Sequence, residues 1–190
     1  FPAACGERAW AVAPAQPAAF GARAIEGMWR ALGGTLAGQV REGRVPAGLQ
    51  PAFSAASPAL AEVVRDINKY SNNVMTQQVF LTLGLQKGGA GSFEAAREAL
   101  QRWWRQRLGS DAEFPVVDNG AGLSREARIS AQALARMLQL AWAAPVMPEY
   151  LASLPIAGVD GTLRRSASRA AGAAHLKTGS LRDVLAVAGY

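Results

Sequence analysis

With 190 residues, half of them apolar, the chain has enough material for one buried core, and this composition excludes a disordered tail. Twenty Lys and Arg against fourteen Asp and Glu give a net charge of +6, a balance that favours anionic surroundings such as wall polymers, lipid head groups or nucleic acid. A single cysteine, Cys5, excludes an internal disulfide and a cysteine-rich zinc site; no apolar run reaches the roughly eighteen residues of a membrane span, and Phe1-Pro2-Ala3-Ala4-Cys5 lacks the basic start and apolar stretch of a signal peptide.

The first eighteen residues, with three prolines and many alanines, read as a connecting or edge segment. From Phe20 to Leu32 apolar residues recur at helical spacing through Ile25, Met28 and Trp29, and Gly33-Gly34 ends the pattern. A strand is expected at Thr35 to Arg41, a turn-rich link at Gly43 to Pro51 and a short strand at Phe53 to Ala56. Ser57-Pro58 has the form of an N-cap followed by proline at the first helical position, opening a helix through Leu60, Val63, Val64 and Ile67 that ends at Asn68-Lys69-Tyr70.

A further helix is predicted over residues 72 to 83, burying Val74, Met75, Val79, Phe80 and Leu83, with Gly84 as its stop. Lys87 to Gly91 reads as a glycine-rich loop without the order of a phosphate cradle. Ser92 starts a helix that continues to Leu108; within it Trp103-Trp104 suit core and rim packing. Phe114 to Val117 is a candidate strand, and Asp118-Asn119-Gly120-Ala121-Gly122 a sharp turn. Ser130 caps a helix through Leu134, Met137, Leu138 and Leu140, which Pro145 and Pro148 interrupt, and Pro155 to Gly161 is loop. Ala173 to Thr178 and Val184 to Tyr190 form an antiparallel hairpin around Ser180-Leu181-Arg182-Asp183. Helices followed by late antiparallel strands indicate an α+β class.

The chemistry concentrates in two short motifs. Lys177-Thr178-Gly179-Ser180 is a Lys-Thr-Gly triplet on a strand, and Ser71-Asn72-Asn73 is a Ser-x-Asn about a hundred residues upstream. Composition alone yields a Lys-Thr-Gly in roughly one chain in twenty-five of this length and a Ser-x-Asn in about half, so order and context carry the signal rather than either motif alone. A lysine at a groove rim attracts a substrate carboxylate, and the threonine hydroxyl can bond the same group. Gly179 permits close approach of a substrate backbone, and the Ser180 N–H suits a developing oxyanion. Ser71 offers a hydroxyl for proton relay and Asn73 an amide for a substrate carbonyl. The competing readings are a solvated edge strand for Lys177-Thr178-Gly179 and a helix cap for Ser71.

Ser-x-x-Lys, the third part of that signature, is absent: no serine from Ser54 to Ser180 has lysine at the third place after it. The lone histidine, His175, has no Gly-x-Ser-x-Gly elbow to serve and reads as a structural or rim residue, and one histidine argues against a zinc site. No cofactor is expected. The basic residues Arg41, Arg44, Arg102, Arg105, Arg107, Arg125, Arg128, Arg164 and Arg165 are scattered and read as solvated helix faces, so no nucleic-acid partner is expected.

Taken with Asp66-Ile67-Asn68-Lys69-Tyr70, Asp118-Asn119-Gly120-Ala121-Gly122-Leu123-Ser124-Arg125 and Leu154-Pro155-Ile156-Ala157-Gly158-Val159-Asp160-Gly161-Thr162-Leu163, these motifs resemble the D-alanyl-D-alanine carboxypeptidase/endopeptidases of the low-molecular-mass class C penicillin-binding proteins. The resemblance spans about residues 20 to 190. It implies a partial penicillin-binding-protein/serine β-lactamase-like fold, an antiparallel sheet flanked by helices. It also implies that residues 1–18 end an inserted domain or connecting segment and that 19–190 are part of the peptidase domain, with Ser-x-x-Lys and the final strands and helix outside the sequence.

The function implied is serine DD-peptidase action on peptidoglycan stem peptides through an acyl-serine intermediate, outside the bacterial cytoplasmic membrane in the periplasm or envelope, with β-lactams acylating the same serine. Peripheral association with membrane or cell wall would suit that setting. In such an enzyme Ser71 passes a proton to the leaving amine, Asn73 orients substrate, Lys177 supports relay and field, and Thr178 binds carboxylate. This 190-residue chain by itself is expected to be inactive. The alternatives are a noncatalytic peptidoglycan-binding relative, a β-lactamase within the same class, or a basic nucleic-acid-binding domain.

Overall fold

The computed structural model describes residues 6–7 and 16–190. Most of the first eighteen residues, Cys5 among them, therefore lie outside the described residues. The chain separates into two units, Phe1–Ala55 and Ala56–Tyr190.

In the first unit a short 3-10 turn at Pro17–Ala19 leads into helix α1, Phe20–Ala31. Glu26 and Arg30 pair one turn apart at 2.7 Å on its surface. After the helix, the Trp29 indole N–H donates to the Thr35 carbonyl at 2.9 Å, folding the Gly33-Gly34 turn back over the ring. Neither Thr35 to Arg41 nor Phe53 to Ala56 forms a strand. Both expectations came from local composition, and among the described residues no neighbouring strand pairs with either segment; without a ladder partner an extended backbone has nothing to hold it in a sheet.

The second unit begins with α2, Leu60–Tyr70. Its N-cap is Ala59 rather than Ser57: the Ala59 N–H donates to the Glu62 carboxylate at 3.3 Å, and the Ala59 carbonyl accepts from Val63 at 3.1 Å. An acidic residue in the first turn, favoured by the helix dipole, sets this start. The helix stops at Ser71, which takes a left-handed conformation with φ 55° and ψ 49°. Asn72 then caps α3, Asn73–Gly88, its side-chain oxygen accepting from Met75 N–H at 3.0 Å.

Helix α3 runs on through Gly84 instead of ending there. The glycine serves packing: a Cβ at this position would lie 2.8 Å from the Ala96 backbone nitrogen, so its absence lets α3 close onto α4, Phe93–Leu108. The true stop is Gly89, left-handed at φ 76°, and Lys87 and Gly88 belong to the helix rather than to a loop. Phe80 is buried, whereas Val74, expected on the same face, is 70% exposed. Ser92 caps α4, accepting from Ala95 N–H at 3.2 Å.

Trp104, 2% exposed, anchors a core with Ala112 and Ala133, and Leu108, Phe114 and Met137 pack around it. Phe114 meets the indole edge-on at 5.9 Å between ring centroids. Trp103 lies on the rim, as expected. Phe114 to Val117 contributes only one bridge, Val116 to Arg128, because the chain turns away on both sides of it. Ser130 caps α5, Ala131–Trp142, and accepts from Ala133 N–H at 3.2 Å. As expected, the helix is interrupted around Pro145, which lies in the turn between α5 and α6, Met147–Ser153; Pro148 sits in the first turn of α6, where its missing N–H costs nothing.

The hairpin comprises β1, Leu176–Leu181, and β2, Val184–Gly189, in antiparallel register from Leu176↔Gly189 to Leu181↔Val184. Its two-residue turn is Arg182-Asp183, with Asp183 at φ 67°, so β1 runs on to Leu181 instead of ending at Thr178; it starts three residues later than expected. The architecture is α+β, helices with an antiparallel sheet. Among the described residues no helix is long and apolar enough to cross a membrane.

Candidate active site

Ser71, Asn73, Lys177, Thr178, Gly179 and Ser180 all line one groove of about 500 Å³, a volume suited to a peptide-sized ligand. One wall is the junction of α2 and α3, the other is β1, and the turn Ala121-Gly122-Leu123 closes one side. The floor is apolar, with Ile67 from α2, Leu134, Met137 and Leu138 from α5, and Tyr150 from α6. Burial, with Tyr190 close by, pushes the Tyr150 phenol above its ordinary range, so it stays neutral.

The Lys177 ammonium bridges the two walls. Nζ donates to Ser71 Oγ at 3.1 Å and to the Thr178 carbonyl at 2.8 Å. The half-buried position removes water from the ammonium and lowers the Lys177 pKa from its usual value. The Ser71 backbone ends α2 in a left-handed conformation, and its hydroxyl accepts from Lys177. Asn73 Nδ2 donates to the Ala121 carbonyl at 2.7 Å, tying α3 to the sharp turn. That turn is held from within by Asn119 Oδ1, which accepts from Ala121 N–H at 2.9 Å.

The ladder decides what β1 offers the groove. His175 and Tyr190 exchange both backbone bonds, at 2.8 and 2.9 Å, so in an antiparallel pair the following bonded positions are Lys177, Gly179 and Leu181. The N–H and C=O groups of Leu176, Thr178 and Ser180 therefore point away from β2. Leu176 N–H uses this edge to reach the Pro155 carbonyl at 2.8 Å, and the Thr178 carbonyl uses it to receive Lys177. The Ser180 N–H faces the same way. All four residues of Lys177-Thr178-Gly179-Ser180 reach the groove because it runs along a strand edge; simple alternation between faces would have divided them.

Residues outside the two motifs hold the site together. Lys69 Nζ donates to the Asp160 carboxylate at 2.6 Å and to the Leu154 carbonyl at 2.8 Å, Ile156 N–H donates to the other Asp160 oxygen at 2.8 Å, and Asn68 Nδ2 donates to Ser153 Oγ at 2.8 Å. Burial opposes the Asp160 charge, but the Ile156 N–H and the Lys69 ammonium outweigh it and hold its carboxyl below the usual range. These residues lie within segments that carried the family resemblance, yet nothing in their spacing signalled that they meet. His175 does not line the groove; its Nδ1 lies 3.2 Å from the Leu151 carbonyl. The scattered arginines are exposed, but only Arg102, Arg105 and Arg107 lie on a helix. Among the described residues no three His, Cys, Asp or Glu side chains gather as a metal site.

A hydroxyl, an amide and a lysine converge on a strand edge beside helices, and the fold is of the penicillin-binding-protein class. The known structures agree on the fold: penicillin-binding protein 4 from Haemophilus influenzae, complexed with a β-lactam, superimposes with a TM-score of 0.75 at 24% identity, over 94% of this chain and 42% of that one. A second structure of that protein matches with a TM-score of 0.59 at 23% identity, over 68% of this chain and 30% of the other. The D-Ala-D-Ala carboxypeptidase 3 (S13) family model matches residues 1–190, and the chain belongs to that family. A D-alanyl-D-alanine carboxypeptidase of Actinomadura sp. (strain R39) is 34% identical over 92% of this chain; the chain spans 34% of that relative's length.

Proposed function

We propose that the whole protein is a serine DD-peptidase that cleaves the terminal D-Ala-D-Ala bond of peptidoglycan stem peptides, and D-Ala cross-links in the same geometry, outside the bacterial cytoplasmic membrane. The observation that carries this reading is the 3.1 Å contact between Lys177 Nζ and Ser71 Oγ, which joins the two motifs across a groove. Membership of the S13 family supports the same substrate class. Residues 19–190 are read as part of the peptidase domain and residues 1–18 as the end of an inserted domain or connecting segment.

The acylating serine is proposed to be supplied by a Ser-x-x-Lys outside this sequence, because no serine here has that partner. Its hydroxyl oxygen attacks the penultimate D-alanine carbonyl as its proton passes into the Ser71–Lys177 relay; the oxyanion that forms is stabilised by the Ser180 N–H on the free edge of β1 and collapses with cleavage of the C–N bond to the terminal D-alanine. Ser71 delivers a proton to the departing D-alanine amine, Lys177 supports that relay and the local positive field, Asn73 holds the substrate amide, and Thr178 binds the terminal carboxylate. Water then releases the acyl group. β-Lactams enter as substrate mimics and acylate the same serine.

The test is acylation by fluorescent penicillin. Full-length protein labels and releases D-alanine from a D-Ala-D-Ala peptide, while the 190-residue chain does neither. No labelling of the full-length protein, or stable labelling of the 190-residue chain, would overturn these roles.

A further inference from the structure

Ser71 is held in a costly conformation. A left-handed backbone at a residue with a Cβ costs on the order of 1–3 kcal/mol and persists only where its surroundings over-determine it. On its C-terminal side the surroundings are the Asn72 cap of α3. On its N-terminal side, two residues before Ser71, Lys69 fastens the last turn of α2 to the segment 154–160.

The same segment carries β1. Pro155 accepts from Leu176 N–H at 2.8 Å, Ile156 bridges to His175, and Ala157 N–H donates to the Ala174 carbonyl at 2.9 Å. Asp160 closes the segment on itself through Ile156 and on α2 through Lys69. Both walls of the groove are thus registered on one loop. Gly161 brings the loop and helix closer still: a Cβ there would lie 2.6 Å from the Lys69 carbonyl.

We infer that the Lys69–Asp160 pair is a positioning device that sets the Ser71–Lys177 contact and so acts on the reaction through Ser71; this rests on the serine-peptidase reading above. An apolar anchor at Lys69 would fill the same space but leave the end of α2 free to slide. The ammonium instead takes two directed partners, with its side chain only 12% exposed, and so specifies one register. Neither Lys69 nor Asp160 lines the groove; their influence passes through the backbone of residues 69–71 and 154–160.

The experiment is a double-mutant cycle in the full-length enzyme, reading the second-order rate constant of acylation by fluorescent penicillin together with the thermal midpoint. Misplacement of a catalytic group by an ångström costs up to about a hundredfold, so Lys69→Met is expected to slow acylation by about tenfold to a hundredfold. In a Ser71→Ala background the same substitution is expected to change the rate by less than about twofold, because the group through which it acts is gone. Lys69→Arg, which keeps charge and donors, restores part of the rate.

Asp160→Asn preserves shape while removing the charge and turning one of the two accepting oxygens into a donor; it is expected to show the same dependence on Ser71 and carries the test should Lys69→Met fail to fold. Equal losses with and without Ser71, or wild-type rates in the folded Lys69 and Asp160 variants, would overturn the inference while the functional reading stands. A wild-type enzyme that is not acylated, or a Ser71→Ala variant as fast as wild type, would remove that reading and this inference with it.

Discussion

The Lys177 ammonium meets the Ser71 hydroxyl although 106 positions separate the two residues, and it does so from a site where burial lowers its pKa. The charge at the centre of the groove is therefore lost at a lower pH than that of a free lysine.

Replacing Lys177 by Ala in the full-length enzyme is expected to slow acylation by about a hundredfold to ten-thousandfold, the range typical of losing a group from proton transfer. The rate should fall on the alkaline side as the pH rises through the lowered Lys177 value. Lys177→Arg, slower but charged throughout, moves that limb to higher pH. Rate constants for acylation measured across pH check both.

Asn73→Ala removes the amide that holds the Ala121 carbonyl. The turn at residues 118–122 loses its tie to α3, and acylation should fall by about tenfold or more while the thermal midpoint changes by only a few degrees. A steady-state assay on a D-Ala-D-Ala peptide separates the expected loss in kcat from the smaller change in KM.

Asp160 gives a pH dependence of stability with a definite sign. Its folded pKa is lowered, so its contribution is complete above the ordinary aspartate range and is lost as the pH falls through the folded value. Thermal midpoints followed from neutral to acidic pH should decline more steeply for the wild type than for Asp160→Asn.

Gly84→Ala tests the packing of α3 on α4. The added methyl would meet the Ala96 backbone nitrogen at 2.8 Å, and backbone cannot rotate aside, so a loss of about 1–3 kcal/mol is expected in spite of alanine's better helix propensity. The denaturant midpoint at unchanged m-value reads it.

Much of the helical framework was legible because it rests on short-range chemistry. Ser92 and Ser130 cap their helices with their own oxygens, and Asp118 to Gly122 turns as its residues require. Where a choice depended on a distant partner, local reading failed. Gly84 looked like a stop until α4 lay against it, and Thr35 to Arg41 looked like a strand with no other strand to pair with.

Ser71, Asn73 and Lys177-Thr178-Gly179-Ser180 could be singled out because their residue types name the chemistry. Lys69 and Asp160 could not, since a lysine and an aspartate 91 positions apart carry no sign of each other until the chain folds.

By itself, then, the sequence determined the local elements and the kinds of functional group available: a hydroxyl after a helix, an amide beside it, and a cation with a glycine on a strand. Only the tertiary structure decided that these groups share one groove and that a strand edge, rather than a strand face, is presented to it. It also decided that one loop registers both walls. The physical reason is that propensity and capping act over a few residues, whereas the alternation of ladder bonds along β1 and the Lys69–Asp160 pair exist only when distant backbone is brought within hydrogen-bonding distance.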